Sequence, residues 1–154
     1  MAAESAAMEV LPLTASQART IASWRYPGAY ATYDFADADE LARDHWAVIE
    51  SGELVGYCCF GPPARVPGAH ERPGTLDLGY GLAPERMAQH AGRRFVGAIL
   101  QFAEKRFEVD QFRLYILDWN RRSQKVAEAL GFAFESILKS GEGTFMVFVR
   151  DVGA

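Results

Sequence analysis

The stretch Thr75–Leu117, TLDLGYGLAPERMAQHAGRRFVGAILQFAEKRFEVDQFRLYIL, decides how this chain folds. Thr75–Leu82 reads as a strand, ended by Pro84. Gly92–Phe107 reads as a helix: Phe95, Ile99, Phe102 and Ala103 share one stripe, and Arg93, Arg94, Gln101, Glu104 and Lys105 supply the polar side. Phe112–Leu117 reads as a second strand. A strand–helix–strand unit of this length predicts a right-handed parallel crossover. A helix opened at Gly92 also offers unpaired N–H groups and a partial positive charge, which suit a pyrophosphate.

Working outward, Met8–Leu13 predicts a first strand. Thr14 then fits the N-cap of a helix over Ala15–Trp24. Tyr26-Pro27-Gly28 breaks that helix, and the chain to Phe35 reads as a loop. Asp37 caps a second short helix carrying Leu41. His45–Ile49 and Leu54–Phe60 form a hairpin around Ser51-Gly52-Glu53. Gly61–Gly74 holds four prolines and three glycines and reads as an exposed loop. Beyond the crossover, Arg121–Leu130 is a helix stopped at Gly131. Phe132–Leu138 and Thr144–Val149 close the chain as a hairpin around Ser140–Gly143. The order β-α-α-β-β-β-α-β-α-β-β predicts an α+β (mixed α/β) class. Its sheet has about seven mostly antiparallel strands, splayed at one parallel pair and flanked by about four helices.

The 154 residues suit one domain over 1–154, with residues 1–7 as a tail. A hydrophobic share of 49% and a charged share of 23% exclude disorder. A formal charge of −4 gives no general attraction to nucleic acid or an anionic membrane, so a phosphate-bearing ligand needs a local arrangement. No apolar run is long enough to span a bilayer. Met1–Met8 lacks the basic start of a secretory signal. Cys58 and Cys59 are adjacent and point to opposite faces of a strand, which predicts two reduced core thiols in a cytoplasmic protein. His45, His70 and His90 are scattered, and no metal site is expected.

Three features carry the chemistry together: Gly81-Leu82-x-Pro84 before the helix opened at Gly92, Asn120 after the second strand, and Ala129-Leu130-Gly131-Phe132. In them the chain resembles the GNAT acetyltransferase superfamily, and more narrowly a bacterial branch near the ribosomal-protein N-terminal (alanine) acetyltransferases. Trp24-Arg25-Tyr26-Pro27 with Tyr30, Phe60-Gly61-Pro62 and Arg65-Val66-Pro67-Gly68 extend the resemblance over about Met8–Val149. It implies acetyl-CoA as co-substrate and a V-shaped gap where the two parallel strands splay. The pantetheine arm would pair with backbone around Leu78, Tyr80 and Leu82. Amides of Met87, Ala88, Gln89, His90, Ala91, Gly92 and Arg93 would cradle the pyrophosphate, with Asn120 also at the cofactor. A neutral amine would attack the thioester carbonyl directly, close to a strand N–H that steadies the oxyanion.

The same resemblance implies Asp77 and Asn120 as catalytic residues. Asp77 is a mid-strand carboxylate whose flanking leucines point the other way. It is read either as the general base or as a group that hydrogen-bonds a neighbouring loop. Trp24, Tyr26 and Tyr30, with Tyr33, would wall the acceptor, a small-molecule amine or a peptide N-terminus, or else cap the core. The chain departs from the family pattern at Ala88 and His90, where glycines are usual, and at Ala127, where a tyrosine serves as acid. Losing that hydroxyl would cost on the order of 10²-fold unless Ser123 or Tyr115 replaces it. Arg93 and Arg94 would either compensate at the phosphate loop or form a solvated helix face. The readings left open are therefore an active N-acyltransferase, a weak or inactive CoA-binding module, and a subunit that homodimerises through sheet edges.

Overall fold

Thr14 starts the first helix as its position predicts. In the computed structural model, which describes residues 7–41 and 44–153, its hydroxyl accepts from the Gln17 amide at 3.1 Å, and the Gln17 side chain accepts from the Thr14 amide at 2.9 Å. This reciprocal capping satisfies two of the donors that a helix start leaves orphaned. Helix α1 spans Ala15–Ser23 and ends where Trp24 turns extended. Asp37 caps a single 3-10 turn, Ala38–Glu40, by accepting from the Asp39 and Glu40 amides. Leu41 follows, fully buried. Gly28–Tyr33, expected as an open loop, is a 3-10 helix. Its flanking i→i+3 bonds, Tyr30 N–H to the Pro27 carbonyl and Asp34 N–H to the Ala31 carbonyl, give the backbone partners that a bare loop would lack. Residues 1–6, most of the expected tail, lie outside the described residues.

The strands are β1 (Met8–Pro12), β2 (His45–Glu50), β3 (Glu53–Phe60), β4 (Thr75–Leu82), β5 (Gln111–Leu117), β6 (Ala133–Ser140) and β7 (Gly143–Asp151). They follow one another across the sheet in the order β1-β2-β3-β4-β5-β7-β6. Antiparallel pairing joins β1 to β2, β5 to β7 and β6 to β7. Helix α2 (Gly92–Arg106) is the crossover that makes β4 and β5 parallel, and α3 (Arg121–Ala129) follows β5. The class is the α+β arrangement expected from the element order. Its helices among the described residues are three α-helices plus 3-10 turns, of which the one after Asp37 is the shortest kind. The β4–β5 register holds only Thr75↔Gln111, Leu76↔Phe112 and Asp77↔Arg113. Leu78 and Gly79 continue β4 without a partner in that register.

The fold resolves into two compact units. The first gathers the chain up to Cys58 with Tyr80–Ile99. Its core sets Ala18 and Ile21 of α1 against Leu41 and Tyr57, under a cover of Leu13, Trp24, Phe35 and Leu54. Glycine is required at two places here, because rings lie directly on the strands. A Cβ on Gly56 would stand 2.5 Å from the Phe95 ring, and one on Gly81 would overlap the Tyr57 hydroxyl. His45 sits against the rings of Phe35 and Tyr57, with centroids 5.8 and 5.9 Å away, and its buried Nδ1 has no hydrogen-bond partner among the described residues.

The second unit gathers Cys59–Gly79 with Leu100–Ala154. Phe112, Leu114, Val147 and Phe148 are buried along the β5–β7 ladder. The Phe60 ring stacks on Phe102 at 5.8 Å and meets Phe107 at 5.1 Å. The proline-rich loop before β4 is tied down by arginine. Arg72 forks onto Glu135 of β6 with bonds of 2.9 and 3.0 Å and reaches Gln111 at 3.2 Å. Cys58 and Cys59 are both buried thiols. No helix among the described residues is long and apolar enough to cross a membrane.

Two outcomes follow from the first unit. Gly81→Ala should cost about 1–3 kcal/mol, because the added methyl displaces the Tyr57 ring; a urea midpoint equal to wild type would refute the close approach. Burial lowers the His45 pKa from its ordinary value near 6.5. The folded form thus prefers neutral His45, and its contribution is present above the unfolded pKa and lost as pH falls through the folded one. Stability should therefore decline below about pH 6.5, and His45→Phe should decline less over the same window in paired urea titrations.

Candidate active site

In the first unit, β4 leads through Pro84 into a 3-10 helix, Pro84–Gln89, then His90, and α2 opens at Gly92. Proline fixes the φ of the first position and lacks an N–H, so the chain coils tightly there. The stretch between β4 and α2 is thus a short coil, and Ala88 lies within it. His90 has φ 53° and ψ 31°, the left-handed region where a side chain is strained and glycine is not. Glycine, which the resemblance implies at this position, adopts that conformation without strain. The His90 and Arg93 side chains are exposed, whereas Met87 is half-buried and Ala91 buried. Arg94 pairs with Glu50, which also approaches Arg86 of the coil at 3.8 Å.

Tyr26 is buried, and its hydroxyl donates to the Leu82 carbonyl at 2.6 Å. Burial raises its pKa far above the ordinary tyrosine range, with the Tyr57 hydroxyl acting the other way. Its ring meets Tyr33 edge-on at 6.5 Å, and Tyr33 lies 6.3 Å from Tyr30. Trp24 instead turns to the core, 6.4 Å from the Tyr57 ring. Of the three expected acceptor-wall residues, Tyr26 and Tyr30 belong to one aromatic group through Tyr33. Trp24 takes the capping position. Tyr80 lies edge-on to the buried Phe95 of α2 at 6.1 Å; Leu82 is half-buried and Leu78 buried.

In the second unit the last rung of the parallel ladder carries a buried ion pair. Asp77 is 0% exposed and Arg113 only 5%. Arg113 donates from Nε to Oδ1 at 2.6 Å and from Nη2 to Oδ2 at 3.0 Å. Arg65 donates from Nε to Oδ2 at 2.8 Å, and the Tyr115 hydroxyl to Oδ1 at 3.1 Å. A carboxylate has about four lone-pair sites, and these bonds fill them. To take a substrate proton, Asp77 would have to give up one of these bonds. The arrangement is that of the alternative raised above, in which Asp77 holds a neighbouring loop. Arg113 extends the hold by donating to the His70 carbonyl at 2.7 Å, and the Asp77 carbonyl accepts from the Gly61 amide. The hydrogen bond to Asp77 raises the Arg113 pKa, and burial followed by the Asp77 charge pushes Tyr115 up to about 12. Tyr115 is therefore a protonated donor to Asp77 at neutral pH.

Asn120 is buried and caps α3, its Oδ1 accepting from the Ser123 amide at 3.2 Å. Gln124 braces the same turn through Nε2 bonds to the Leu117 and Asp118 carbonyls at 3.2 and 3.0 Å. Ala127 is fully buried, so that position offers neither a hydroxyl nor an open face. Sequence reasoning missed Arg65, Arg113 and Gln124. A signal existed for Arg113, a lone cation inside the apolar strand FRLYIL, which pairing in register with β4 sets opposite Asp77. Nothing local marked Arg65.

The model of the family described as "Acetyltransferase (GNAT) domain" matches residues 1–133. The chain therefore belongs to the GNAT acetyltransferases, a family of transferases. No curated protein sequence matches it. Among solved structures, an aminoglycoside acetyltransferase AAC(6')-Ib in complex with coenzyme A is similar at a TM-score of 0.77 and 16% identity, covering 95% of each chain. A spermidine N-acetyltransferase SpeG chimera from Vibrio cholerae and hSSAT gives 0.73 and 14%, covering 94% of this chain and 95% of that one. Mycobacterium smegmatis RimJ in complex with CoA-disulfide gives 0.68 and 14%, covering 94% and 82%. At such identities the likeness is one of fold.

Removing the Asp77 charge should leave two guanidinium groups unbalanced, one of them buried. Asp77→Asn is expected to cost about 3–5 kcal/mol. A denaturation midpoint within error of wild type would show that the pair is dispensable.

Proposed function

We propose that this chain transfers an acetyl group from acetyl-CoA to a primary amine, on a small molecule or a peptide N-terminus. The observation that carries the reading is the parallel ladder ending at Asp77↔Arg113 in a member of this family. Leu78 and the β4 residues after it then offer backbone to the pantetheine arm. In this reading Tyr80 and the backbone of Leu82 flank the arm, beside the Leu82 carbonyl that accepts from Tyr26. Amides from Met87 to Arg93 meet the pyrophosphate, where a helix start favours negative charge. Arg93, exposed and without a partner among the described residues, supplies the cation that Arg94 does not. The neutral amine attacks the thioester carbonyl, a C–N bond forms, the C–S bond breaks, and the CoA thiolate leaves. Asp77 steadies the arginines beside the acceptor, and the ammonium proton passes to water. Asn120 holds the β5–α3 turn at the cofactor. The reading assigns the reaction to the cytoplasm, where thiols such as Cys58 and Cys59 stay reduced.

A second reading, a CoA-binding module with slow turnover, is favoured by the buried Ala127 in place of an acid tyrosine. Calorimetric titration with acetyl-CoA and CoA, followed by turnover on an amine panel, decides between them. Micromolar binding with turnover is expected; micromolar binding without turnover supports the module. No binding at millimolar ligand would remove both. His90→Gly should relieve the left-handed strain and raise stability by up to about 1 kcal/mol.

A further inference from the structure

The ion cluster at the end of the parallel ladder does not balance. Three arginines, Arg65, Arg72 and Arg113, face two carboxylates, Asp77 and Glu135. Arg72 and Glu135 form a bidentate pair and neutralise each other. What remains is Asp77 between Arg65 and Arg113, with a surplus of one positive charge. The surplus has a place. Arg65 uses only Nε, and among the described residues its Nη1 and Nη2 make no hydrogen bond. Its side chain is 21% exposed, so this end reaches solvent. Arg113, nearly buried, spends Nε and Nη2 on Asp77 and His70, and among the described residues its Nη1 makes no hydrogen bond. Asp77 fixes both guanidinium groups from behind, so little side-chain freedom is lost when an anion arrives.

A rigid guanidinium edge with two free nitrogens matches a carboxylate, which accepts two parallel N–H bonds. It repels a polycation. From this geometry we infer that Arg65, oriented by Asp77 and backed by Arg113, binds a carboxylate on the acceptor. The acceptor is then an amine that also carries an anionic group, such as an amino acid or a short peptide with a free C-terminus. It is not a polyamine or other polycation. This assignment of acceptor class rests on the amine-acetylation reading above, whereas the carboxylate site itself does not.

The test therefore has two arms. In the first, N-acetylglycine and its neutral amide are titrated separately into 15N-labelled protein, and the Arg65 Nε–H resonance is followed. The acid should shift it saturably with a millimolar Kd, the amide should bind at least about tenfold more weakly, and Arg65→Gln should abolish acid binding. Equal shifts by acid and amide, no shift by either, or acid binding that survives in Arg65→Gln would overturn the site. Should the variant fail to fold, the acid–amide comparison in the wild-type protein still decides. In the second arm, kcat/KM for acetyl transfer is compared among glycylglycine, glycylglycinamide and spermidine. Glycylglycine should lead its amide by about 10- to 100-fold, with Arg65→Lys retaining part of the preference through its charge. Equal rates, or preference for spermidine, would overturn the acceptor class. Acid binding in the first arm without acetylation of any amine would uphold the carboxylate site and sink the transferase reading instead.

Discussion

The buried pair between Asp77 and Arg113 is the constraint on which the second unit depends. Two charges that water would otherwise hydrate are withdrawn from solvent at the rung where β4 and β5 last pair. Such a pair survives burial only when the remaining lone pairs and N–H groups find partners. That requirement recruits Arg65, Tyr115 and the His70 carbonyl. The loop from Gly61 to Gly74 is pinned at several points: Arg65 and the His70 carbonyl bond the ion pair, and the Gly61 amide bonds the Asp77 main-chain carbonyl. Electrostatics here organises the backbone, and the chemistry inherits that organisation.

In the first unit the governing constraint is steric. Gly56 and Gly81 carry no Cβ because the rings of Phe95 and Tyr57 lie where it would stand. These close approaches set β3 against the start of α2 and the end of β4 against β3. Tyr26 adds a bond onto the Leu82 carbonyl across the unit. The coil from Pro84 to Gln89 delivers the chain to His90 in a left-handed conformation, so the residue that stands there instead of glycine is strained.

Much of the fold was legible in the sequence. Thr14 and Asp37 announced caps, Gly131 a helix stop, and Thr75–Leu82 a strand whose bounds the structure repeats. These signals are local, since each depends on a residue's own hydrogen-bonding groups or φ preference. The segment Gly28–Tyr33 was misread because 3-10 turns carry no periodicity of their own and take their partners from whatever backbone lies three residues back. The residues expected at the site were less legible. Asp77 stood out as a mid-strand carboxylate, but its use could not be judged without Arg65 and Arg113, and Trp24 was as compatible with a wall as with a core.

The sequence by itself determined the element order, the parallel crossover and the family, because caps, apolar periodicity and motif spacing are written along the chain. Only the tertiary structure decided what the charged and aromatic residues do. Asp77 meets Arg113 across 36 positions and Tyr26 meets Leu82 across 56. Whether a carboxylate is a base or an anchor depends on how many donors surround it. Those donors arrive from distant segments, through pairing that no local pattern records.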